Sequence, residues 1–411
     1  MSKIEKLIKE LCPNGVEYKK LYEITCWDKR FSGVEKSHQE RIVKFEHVSA
    51  EKLKTMQVKN GYVKLLSTGL FDGYTTEEIA GKYINNSTVI SFPTGGSANL
   101  KYYSGLFVDS GNILAISSNN ELYNLKFIFY NLKNKIKMIE SEYRGSGVKH
   151  PNMKNILMIK IPVPPLEIQE EIVRILDKFG ELEAELEAEL EARKSQYEFW
   201  HNKLFDFSEN VKMLSLEKLC NIVDYRGKTP KKSKSGIFLV TAKNIKKGYI
   251  DYEYSKEYIL EKDFESVMRR GKANIGDVLF TTEAPCGHVA QVDKEPIALA
   301  QRVIKYSSKD LSQLTNKYLK YALLTNQFQN KLLGTSTGSI VKGIKGSKLH
   351  KMTIPVPRIE KQNQIVIILD KFDKLVNDIA EGLPAEIEAR RKQYEYYRNK
   401  LLSFEELIIN E

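Results

Sequence analysis

The sequence predicts an α+β protein: two mixed α/β domains separated by a long antiparallel two-helix coiled coil with pseudo-two-fold symmetry. Three observations predict this fold: an internal repeat, helical spacing of apolar residues in both copies, and a charge distribution that follows the repeat. The chain has 411 residues, 42% hydrophobic and 28% charged. This is a globular composition, and the chain is too long for one comfortable core.

The internal repeat is clearest in two pairs of segments that share one offset. IPVPPLEIQEEIVRILDKF at 161–179 matches IPVPRIEKQNQIVIILDKF at 354–372, an offset of 193 residues. GSGVKHP at 145–151 matches GSIVKGI at 338–344 at the same offset. The chain therefore contains two copies of one plan.

The repeat continues downstream, where EARKSQYEFWHNKL at 191–204 matches EARRKQYEYYRNKL at 388–401. The offset is now 197 residues, so the copies differ in length between these segments. We predict domains and helical spacers at 1–160 (domain), 161–208 (spacer), 209–353 (domain) and 354–411 (spacer).

The first spacer has the apolar spacing of a coiled-coil helix. Its predicted seam is Ile172, Ile175, Phe179, Leu182 and Leu186. Proline cannot lie inside a helix, so each helix should begin just after its prolines: Pro162, Pro164 and Pro165 in the first copy, and Pro355 and Pro357 in the second. About 40 residues would span roughly 60 Å. A tandem ELEA at 181–192 interrupts the heptad and adjusts the helix length.

The second spacer repeats this spacing. Its predicted seam is Ile365, Ile368, Phe372, Leu375 and Ile379. Gly382 and Pro384 predict a kink or short break further along. The two spacers are the natural partners of each other, although a purely structural hairpin or a dimer interface would show the same pattern.

The excess of positive charge lies in the two predicted domains. The net charge is +11 with six histidines taken as neutral; residues 1–160 carry +8 and residues 209–353 carry +12. Residues 161–208 carry −7 and residues 354–411 carry −2. Two basic lobes joined by acidic helices are typical of a protein that binds a polyanion such as double-stranded DNA at two places. Glu-rich solvated helix surfaces remain an alternative explanation.

Within each domain, loops combine cations with hydroxyl and amide groups, the groups that contact phosphates and base edges. The candidate DNA-binding residues are Thr94, Ser97, Asn99, Lys101, Arg144, Lys149, His150, Lys154, Arg226, Lys228, Lys231, Lys232, Thr335, Thr337, Lys342 and Lys345. Helical segments at 122–136 and 315–332 lead into two of these loops.

No catalytic or metal motif is evident. The chain has neither the aromatic turn of a DNA methyltransferase nor a nuclease or hydrolase signature, and its histidines are not clustered. Cys286, near Glu283 and His288, is more typical of a buried turn than of a thiol nucleophile. We therefore predict no catalytic residue, no metal and no cofactor in this chain. A coiled-coil scaffold with incidentally basic lobes and an autonomous nuclease are the alternatives.

The duplicated plan resembles the specificity (S) subunit of type I restriction-modification systems. The residues that carry the resemblance are the IPVP segments, Glu167 and Gln169, the ILDKF helices, the QYE…NKL helix ends and the GSGVK and TGSIVKGI loops. The resemblance implies that each domain is a target-recognition domain for one half of a split DNA site, with the coil setting the unread spacer. It offers no catalytic residues and no individual DNA contacts to carry over.

The resemblance also implies partners. Two modification (methyltransferase) subunits would dock on the helices, and restriction subunits would add ATP-driven translocation and cleavage. S-adenosylmethionine, ATP and Mg would then be bound by those partners. The longest apolar run is about five residues, too short to span a bilayer, and no signal peptide is evident, so we expect a soluble, cytoplasmic protein with four inert thiols.

Overall fold

The computed structural model describes residues 3–207, 211–225, 230–336, 343–377 and 382–407. The chain divides into two units: unit 1 is Met1–Ala184 with Ala389–Glu411, and unit 2 is Glu185–Glu388. Each unit thus contains one predicted domain and parts of both predicted helical segments. In the part of the chain that the structure describes, no helix has the length and apolar character needed to cross a membrane.

The first segment of unit 1, Met1–Ala184, begins with an amphipathic helix and runs into the long helix that continues into unit 2. Its elements are α1 (Lys3–Leu11), β1 (Glu17–Lys20), α2 (Leu21–Ile24), β2 (Thr25–Trp27), α3 (Ala50–Thr55), β3 (Val63–Leu66), β4 (Asp72–Thr75), α4 (Glu77–Ala80), β5 (Asn85–Phe92), β6 (Lys101–Asp109), β7 (Ile113–Ser117), α5 (Leu125–Asn134), α6 (Ile136–Ser141), β8 (Tyr143–Arg144), β9 (His150–Pro151), α7 (Met153–Leu157), β10 (Lys160–Val163) and α8 (Leu166–Leu204).

A six-stranded sheet in the order β2-β7-β5-β6-β3-β4 organises unit 1. The central strand β5 pairs antiparallel with both β6 and β7. Ile90 and Phe92 of β5 are fully buried and share a core with Ile128 and Leu132 of α5. The apolar spacing at 122–136 therefore corresponds to a helix that packs on the sheet.

Unit 2 follows a similar order of elements. They are β11 (Lys212–Ser215), α9 (Leu216–Leu219), β12 (Cys220–Asp224), β13 (Ile237–Val240), β14 (Tyr258–Ile259), α10 (Phe264–Val267), β15 (Val278–Thr281), β16 (Val289–Gln291), β17 (Ile297–Leu299), β18 (Val303–Ser308), α11 (Asn316–Leu324), α12 (Asn326–Thr335), α13 (Gly346–Leu349), β19 (Thr353–Val356) and α14 (Ile359–Asn377); a further helix, α15 (Leu383–Leu401), extends from unit 2 into unit 1.

The repeat extends to the strand order. Unit 2 contains a four-stranded sheet in the order β12-β18-β15-β16, which matches β2-β7-β5-β6 of unit 1 strand for strand. The two-stranded pairs β1–β10 and β11–β19 match as well. The units differ outside this frame: unit 1 adds β3 and β4 to its sheet, whereas unit 2 builds a separate β14-β13-β17 sheet.

A buried glutamine joins each domain to its helix. Gln169 Nε2 donates to the Leu122 carbonyl at 2.9 Å and to the Pro164 carbonyl at 2.7 Å. Its Oε1 accepts the Asn124 N–H at 2.9 Å, at the start of α5. Each of these bonds satisfies a backbone group near the start of α5 or of α8.

The matching glutamine of unit 2 has the same three kinds of partner. Gln362 accepts the Thr315 N–H at 3.1 Å and donates to the Gln313 and Pro357 carbonyls at 2.7 and 2.9 Å. Both glutamine residues are almost completely buried. The IPVP segment and the following helix are thus fixed to the domain by one repeated device.

The aspartate of each ILDKF motif forms a second repeated link. Asp177 accepts hydrogen bonds from Lys126 Nζ at 2.7 Å and from the Tyr130 hydroxyl. In unit 2, Asp370 accepts from Lys317 Nζ at 2.6 Å and from the Tyr321 hydroxyl at 2.7 Å. The motif therefore binds the domain helix, α5 or α11, to the spacer helix.

The spacer helices pair as predicted. In unit 1 the Phe179 ring stacks on Tyr397 with centroids 5.6 Å apart. Further along α8, Glu183 pairs with Arg391 at 2.6 Å. Residue numbers rise along α8 while they fall along α15, so the pairing is antiparallel. In unit 2 the Tyr197 ring of α8 lies 6.2 Å from Phe372 of α14.

The predicted helix boundaries are confirmed where the structure describes them. Helix α8 begins at Leu166, directly after Pro165, and α14 begins two residues after Pro357. Two helices, α14 and α15, flank the predicted break; residues 378–381, which include Ile379, lie outside the described residues. The segment at 315–332 contains two helices instead of one, because the Thr325 hydroxyl accepts the Phe328 N–H and caps a new helix.

Residues 405–407 lie against the start of β1 in unit 1. The Val16 N–H donates to the Glu405 carbonyl at 2.8 Å, and the Leu407 N–H donates to the Val16 carbonyl at 2.9 Å. A Cβ atom at Gly15, where φ is +91°, would lie 2.6 Å from the Glu405 carbonyl oxygen. Glycine at this position therefore permits the tail to approach the start of β1.

Candidate nucleic-acid interface

Unit 1 brings two of the predicted loops together into what we call loop pair 1, residues 93–101 and 144–151. The Gly96 N–H donates to the Lys149 carbonyl at 2.8 Å. His150 Nδ1–H donates to the Thr94 carbonyl at 2.6 Å. The buried Tyr143 hydroxyl donates to the Pro93 carbonyl at 3.0 Å. Residues some 50 positions apart in sequence therefore form one surface.

Most predicted residues of loop pair 1 face solvent. Arg144, Lys149 and His150 are exposed, as is Ser97, while Thr94 and Asn99 are half-buried. Arg144 also pairs with Glu142 at 3.1 Å, so it is positioned as well as accessible. Exposed Lys154 follows in α7. Cations, hydroxyls and backbone amides gathered on rigid loops are suited to phosphate and base-edge contacts.

Lys101 has a different role. Its Nζ donates to the Ser67 carbonyl at 2.7 Å, to the Ser67 hydroxyl at 3.2 Å and to the Gly69 carbonyl at 2.6 Å. These contacts occupy all three N–H donors of the ammonium group. Burial lowers the pKa of Lys101. This lysine organises the turn between β3 and β4.

Unit 2 places its loops in the same position of the shared frame. The loop that follows β15, residues 282–288, meets residues 343–345, and we call these segments loop pair 2. The Ile344 N–H donates to the Thr282 carbonyl at 3.0 Å, and Gln329 Nε2 donates to the Gly287 carbonyl at 3.0 Å. Lys345 is exposed next to this contact. Thr335 ends α12, where its hydroxyl donates to the Lys331 carbonyl at 2.7 Å.

The remaining predicted residues are elsewhere. Arg226, Lys228, Thr337 and Lys342 lie outside the described residues. Lys231 and Lys232 are exposed on the segment that precedes β13, which the Ser233 N–H attaches to the Tyr258 carbonyl at 2.8 Å. Lys232 pairs there with Glu257 at 2.8 Å. These two lysines therefore belong to the β14-β13-β17 sheet and not to loop pair 2.

Sequence reasoning missed Lys246 and Lys247, which lie beside loop pair 2. His288 Nδ1–H donates to the Ile245 carbonyl at 2.8 Å, and the Gly248 N–H donates to the Val289 carbonyl at 2.7 Å. Lys246 lies over the Tyr254 ring, whereas Lys247 is exposed. The signal was present in the sequence, because paired lysines before a glycine indicate a cationic turn.

The titratable groups of the described residues do not form a metal site: no group of three or more His, Cys, Asp or Glu side chains could hold an ion there. All four cysteines are free thiols, and burial raises the pKa of each, that of Cys220 to about 12. Cys286 in loop pair 2 is therefore protonated near neutral pH, which is the wrong state for a nucleophile.

Comparison with known proteins agrees with this geometry. A family model described as "Type I restriction modification DNA specificity domain" matches residues 38–192 and again residues 208–389. The EcoR124I/EcoR124II specificity subunit of Escherichia coli is 32% identical over 395 residues, covering 88% of this chain and 92% of that protein. A putative type I specificity subunit of Haemophilus influenzae is 29% identical over 343 residues, covering 78% and 84%.

Solved structures share the fold. The S subunit of a type I restriction-modification system from M. genitalium matches with a TM-score of 0.59 at 15% identity, covering 94% of this chain and 96% of that one. A chain from a study of type I R-M complex assembly and conformational transition matches with a TM-score of 0.55, covering 95% and 98%.

The repeated frame has a loop pair at the same place in each unit, with Arg144 and Lys149 in loop pair 1 and Lys345 and Lys247 in or beside loop pair 2. This arrangement defines the class, a duplicated DNA-recognition protein. The family model matches two domains of the chain, and the relatives match over most of their length. These two findings establish the family. The chain belongs to the specificity subunits of type I restriction-modification systems. A coiled-coil scaffold with incidental charge is not favoured by these relatives.

Proposed function

We propose that this chain is the non-catalytic specificity subunit of a type I complex and reads a bipartite double-stranded DNA site, one half-site per unit. The observation that carries the proposal is the recurrence of a loop pair at the same place in the four-strand frame of both units. Two similar sites in one chain suit two separate blocks of sequence. The differences between the loops would let the blocks differ.

The chemistry would reside in partners. Two modification subunits would dock on the paired spacer helices, and restriction subunits would join the assembly; S-adenosylmethionine, ATP and Mg would be bound by those subunits. The protein would act in the cytoplasm. The family membership and the repeated helix pairings support the proposed docking of partner subunits on the spacer helices.

The test is methylation by a complex reconstituted from this chain and its modification subunit. Sequencing of methylated bases should show a motif of two defined blocks separated by an undefined spacer. Methylation at one continuous block would contradict the proposal. The chain alone and the modification subunit alone are the controls, and neither should methylate DNA.

We further propose that the ELEA segment at 181–192 sets the spacer length. Four residues add about 6 Å to a helix and rotate it about 40° beyond a full turn. The rotation is close to one base-pair step of a duplex with about 10–10.5 base pairs per turn. Deletion of one ELEA unit should shorten the spacer by about one base pair while both half-sites stay the same. An unchanged spacer would refute the role.

A further inference from the structure

The turn between β3 and β4, residues 67–71, presents an aliphatic side chain to solvent. Leu70 is 91% exposed, more than any other large hydrophobic side chain among the described residues. A single exposed leucine on a flexible loop would need no explanation. This turn, however, is held by an unusual number of hydrogen bonds.

The bonds that hold the turn come from its own residues and from two other segments. The Ser67 hydroxyl lies within hydrogen-bond distance of the Gly69 and Phe71 carbonyls, at 3.1 and 2.7 Å. The Thr68 N–H donates to the Ser110 hydroxyl at 3.1 Å. Lys101 adds its three contacts to Ser67 and Gly69. The backbone beneath Leu70 is therefore fixed before any ligand arrives.

The turn is continuous with loop pair 1. Lys101 belongs to loop pair 1, and Asn99 Nδ2 of the same segment donates to the Gly69 carbonyl at 3.5 Å. The partner segment carries a second exposed aliphatic, Val148, which is 66% exposed and adjoins Gly95. Val148 thus lies within loop pair 1, and Leu70 lies on a turn that Asn99 and Lys101 of the same loop pair hold.

The chemistry of duplex DNA matches this mixture. Phosphates take cations and hydroxyls, whereas an aliphatic group finds its only apolar partner among the base edges, the C5-methyl group of thymine in the major groove. A preorganised turn lowers the entropy lost when the contact forms. The exposed cations Arg144 and Lys149 of loop pair 1, which holds this turn, make DNA the occupant that fits.

We propose that Leu70 is a specificity residue of unit 1 that contacts a thymine methyl in the half-site read by this unit. The inference rests on the proposed function and extends it to a base contact. Lys101 is the positioning residue that holds the turn.

The test uses the reconstituted complex and its own methylation site. Leu70→Ala should weaken binding to the site roughly fivefold, by loss of apolar burial. Binding to mixed-sequence DNA and the slope of affinity against salt should stay unchanged, because no phosphate contact is lost. Leu311→Ala, which alters a leucine 64% exposed in unit 2, is the matched control.

A thymine-to-deoxyuridine series across the half-site identifies the contact. One substitution should weaken parent binding about fourfold, the value of one buried methyl, and should have no further effect in Leu70→Ala. The inference would be overturned if the half-site contained no A·T pair or if Leu70→Ala bound the site as tightly as the parent. It would also be overturned if every deoxyuridine substitution weakened binding of Leu70→Ala as much as it weakens binding of the parent. Failure of the parent to bind any bipartite site would instead overturn the proposed function.

Discussion

Unit 1 and unit 2 are alike where each domain meets its helix and unlike where each domain meets solvent. The buried glutamine and the ILDKF aspartate have the same kinds of partner in both units. Beyond the four-strand frame, unit 1 adds two strands to its sheet and unit 2 adds a separate sheet. The comparison teaches that the attachment to the helix and the position of the loop pair are repeated, whereas the strands outside the four-strand frame are not.

The two units can be followed separately, because the chain has only two tryptophans. Trp27 is buried in unit 1, and Trp200 is half-buried in the unit 2 part of α8. Trp200→Phe leaves a chain that reports on unit 1, and Trp27→Phe leaves one that reports on unit 2. Each variant below is compared with its own single-tryptophan parent.

The largest expected effect comes from the glutamines. Gln169→Leu removes the hydrogen bonds of one buried and two partly buried backbone groups. It should lower the free energy of unfolding of unit 1 by about 3 kcal/mol. Gln362→Leu should lower that of unit 2 by a similar amount. Urea denaturation followed by tryptophan fluorescence measures both. Exposed Glu170→Gln is the control; a large loss in only one unit would break the equivalence.

The ILDKF aspartates should have a smaller effect. Asp177→Asn weakens the contacts to Lys126 and Tyr130 and should destabilise unit 1 by about 1 kcal/mol, because the pair is partly exposed. Asp370→Asn should act less strongly on unit 2, since Lys317 is 54% exposed against 31% for Lys126. The same denaturation experiment tests the order. A larger loss in unit 2 would contradict it.

The exposed lysines of the two loop pairs allow the units to be compared by their contributions to DNA affinity. Lys149→Ala in loop pair 1 and Lys345→Ala in loop pair 2 should each weaken binding of the complex about threefold and reduce the salt slope by about one. Lys9→Ala and Lys218→Ala alter exposed lysines on helices of the same units and should change neither. Equal salt slopes for a loop variant and its parent would place that loop away from DNA.

The smallest expected effect is the pH dependence of the free energy of unfolding, which should have opposite signs in the two units. The hydrogen bond to Asp109 raises the pKa of His47 in unit 1, and burial lowers the pKa of His201 in unit 2. His47 therefore stabilises unit 1 at pH values below its unfolded pKa of about 6.5, and this stabilisation is lost as the pH rises through its folded pKa. His201 stabilises unit 2 at pH values above its unfolded pKa of about 6.5, and this stabilisation is lost as the pH falls through its folded pKa.

Between about pH 7.5 and 5.5, acidification should therefore stabilise unit 1 and destabilise unit 2. His288, whose pKa burial also lowers, acts in the same direction as His201. His47→Gln should remove most of the dependence in unit 1, and His201→Gln should reduce it in unit 2. Parallel pH profiles of the two tryptophan signals would refute the assignment.

The repeat made much of the fold predictable. Proline placement located the starts of α8 and α14, and the heptads located the pairing of α8, because both signals are local. The contact between loop segments 93–101 and 144–151 could be suspected only from composition. Strand order could not be predicted, since short strands with similar patterns permit many pairings.

The roles of individual lysines were less predictable. Lys101 and Lys149 look equivalent in sequence, yet one is bound to carbonyl groups and the other is exposed. The difference arises from the turn at 67–71, which is distant in sequence. The cationic turn at Lys246 and Lys247 could be read from the sequence, but only the fold shows that it lies beside residues 282–288.

The position of residues 389–407 has a consequence for the order of synthesis. Residues 389–407 supply the helix that packs on α8 in unit 1 and the tail that meets β1, whereas unit 2 ends at Glu388. On the ribosome, the sequence of unit 2 is therefore complete before residues 389–407 of unit 1 are made. A late frameshift would damage the domain that was translated first.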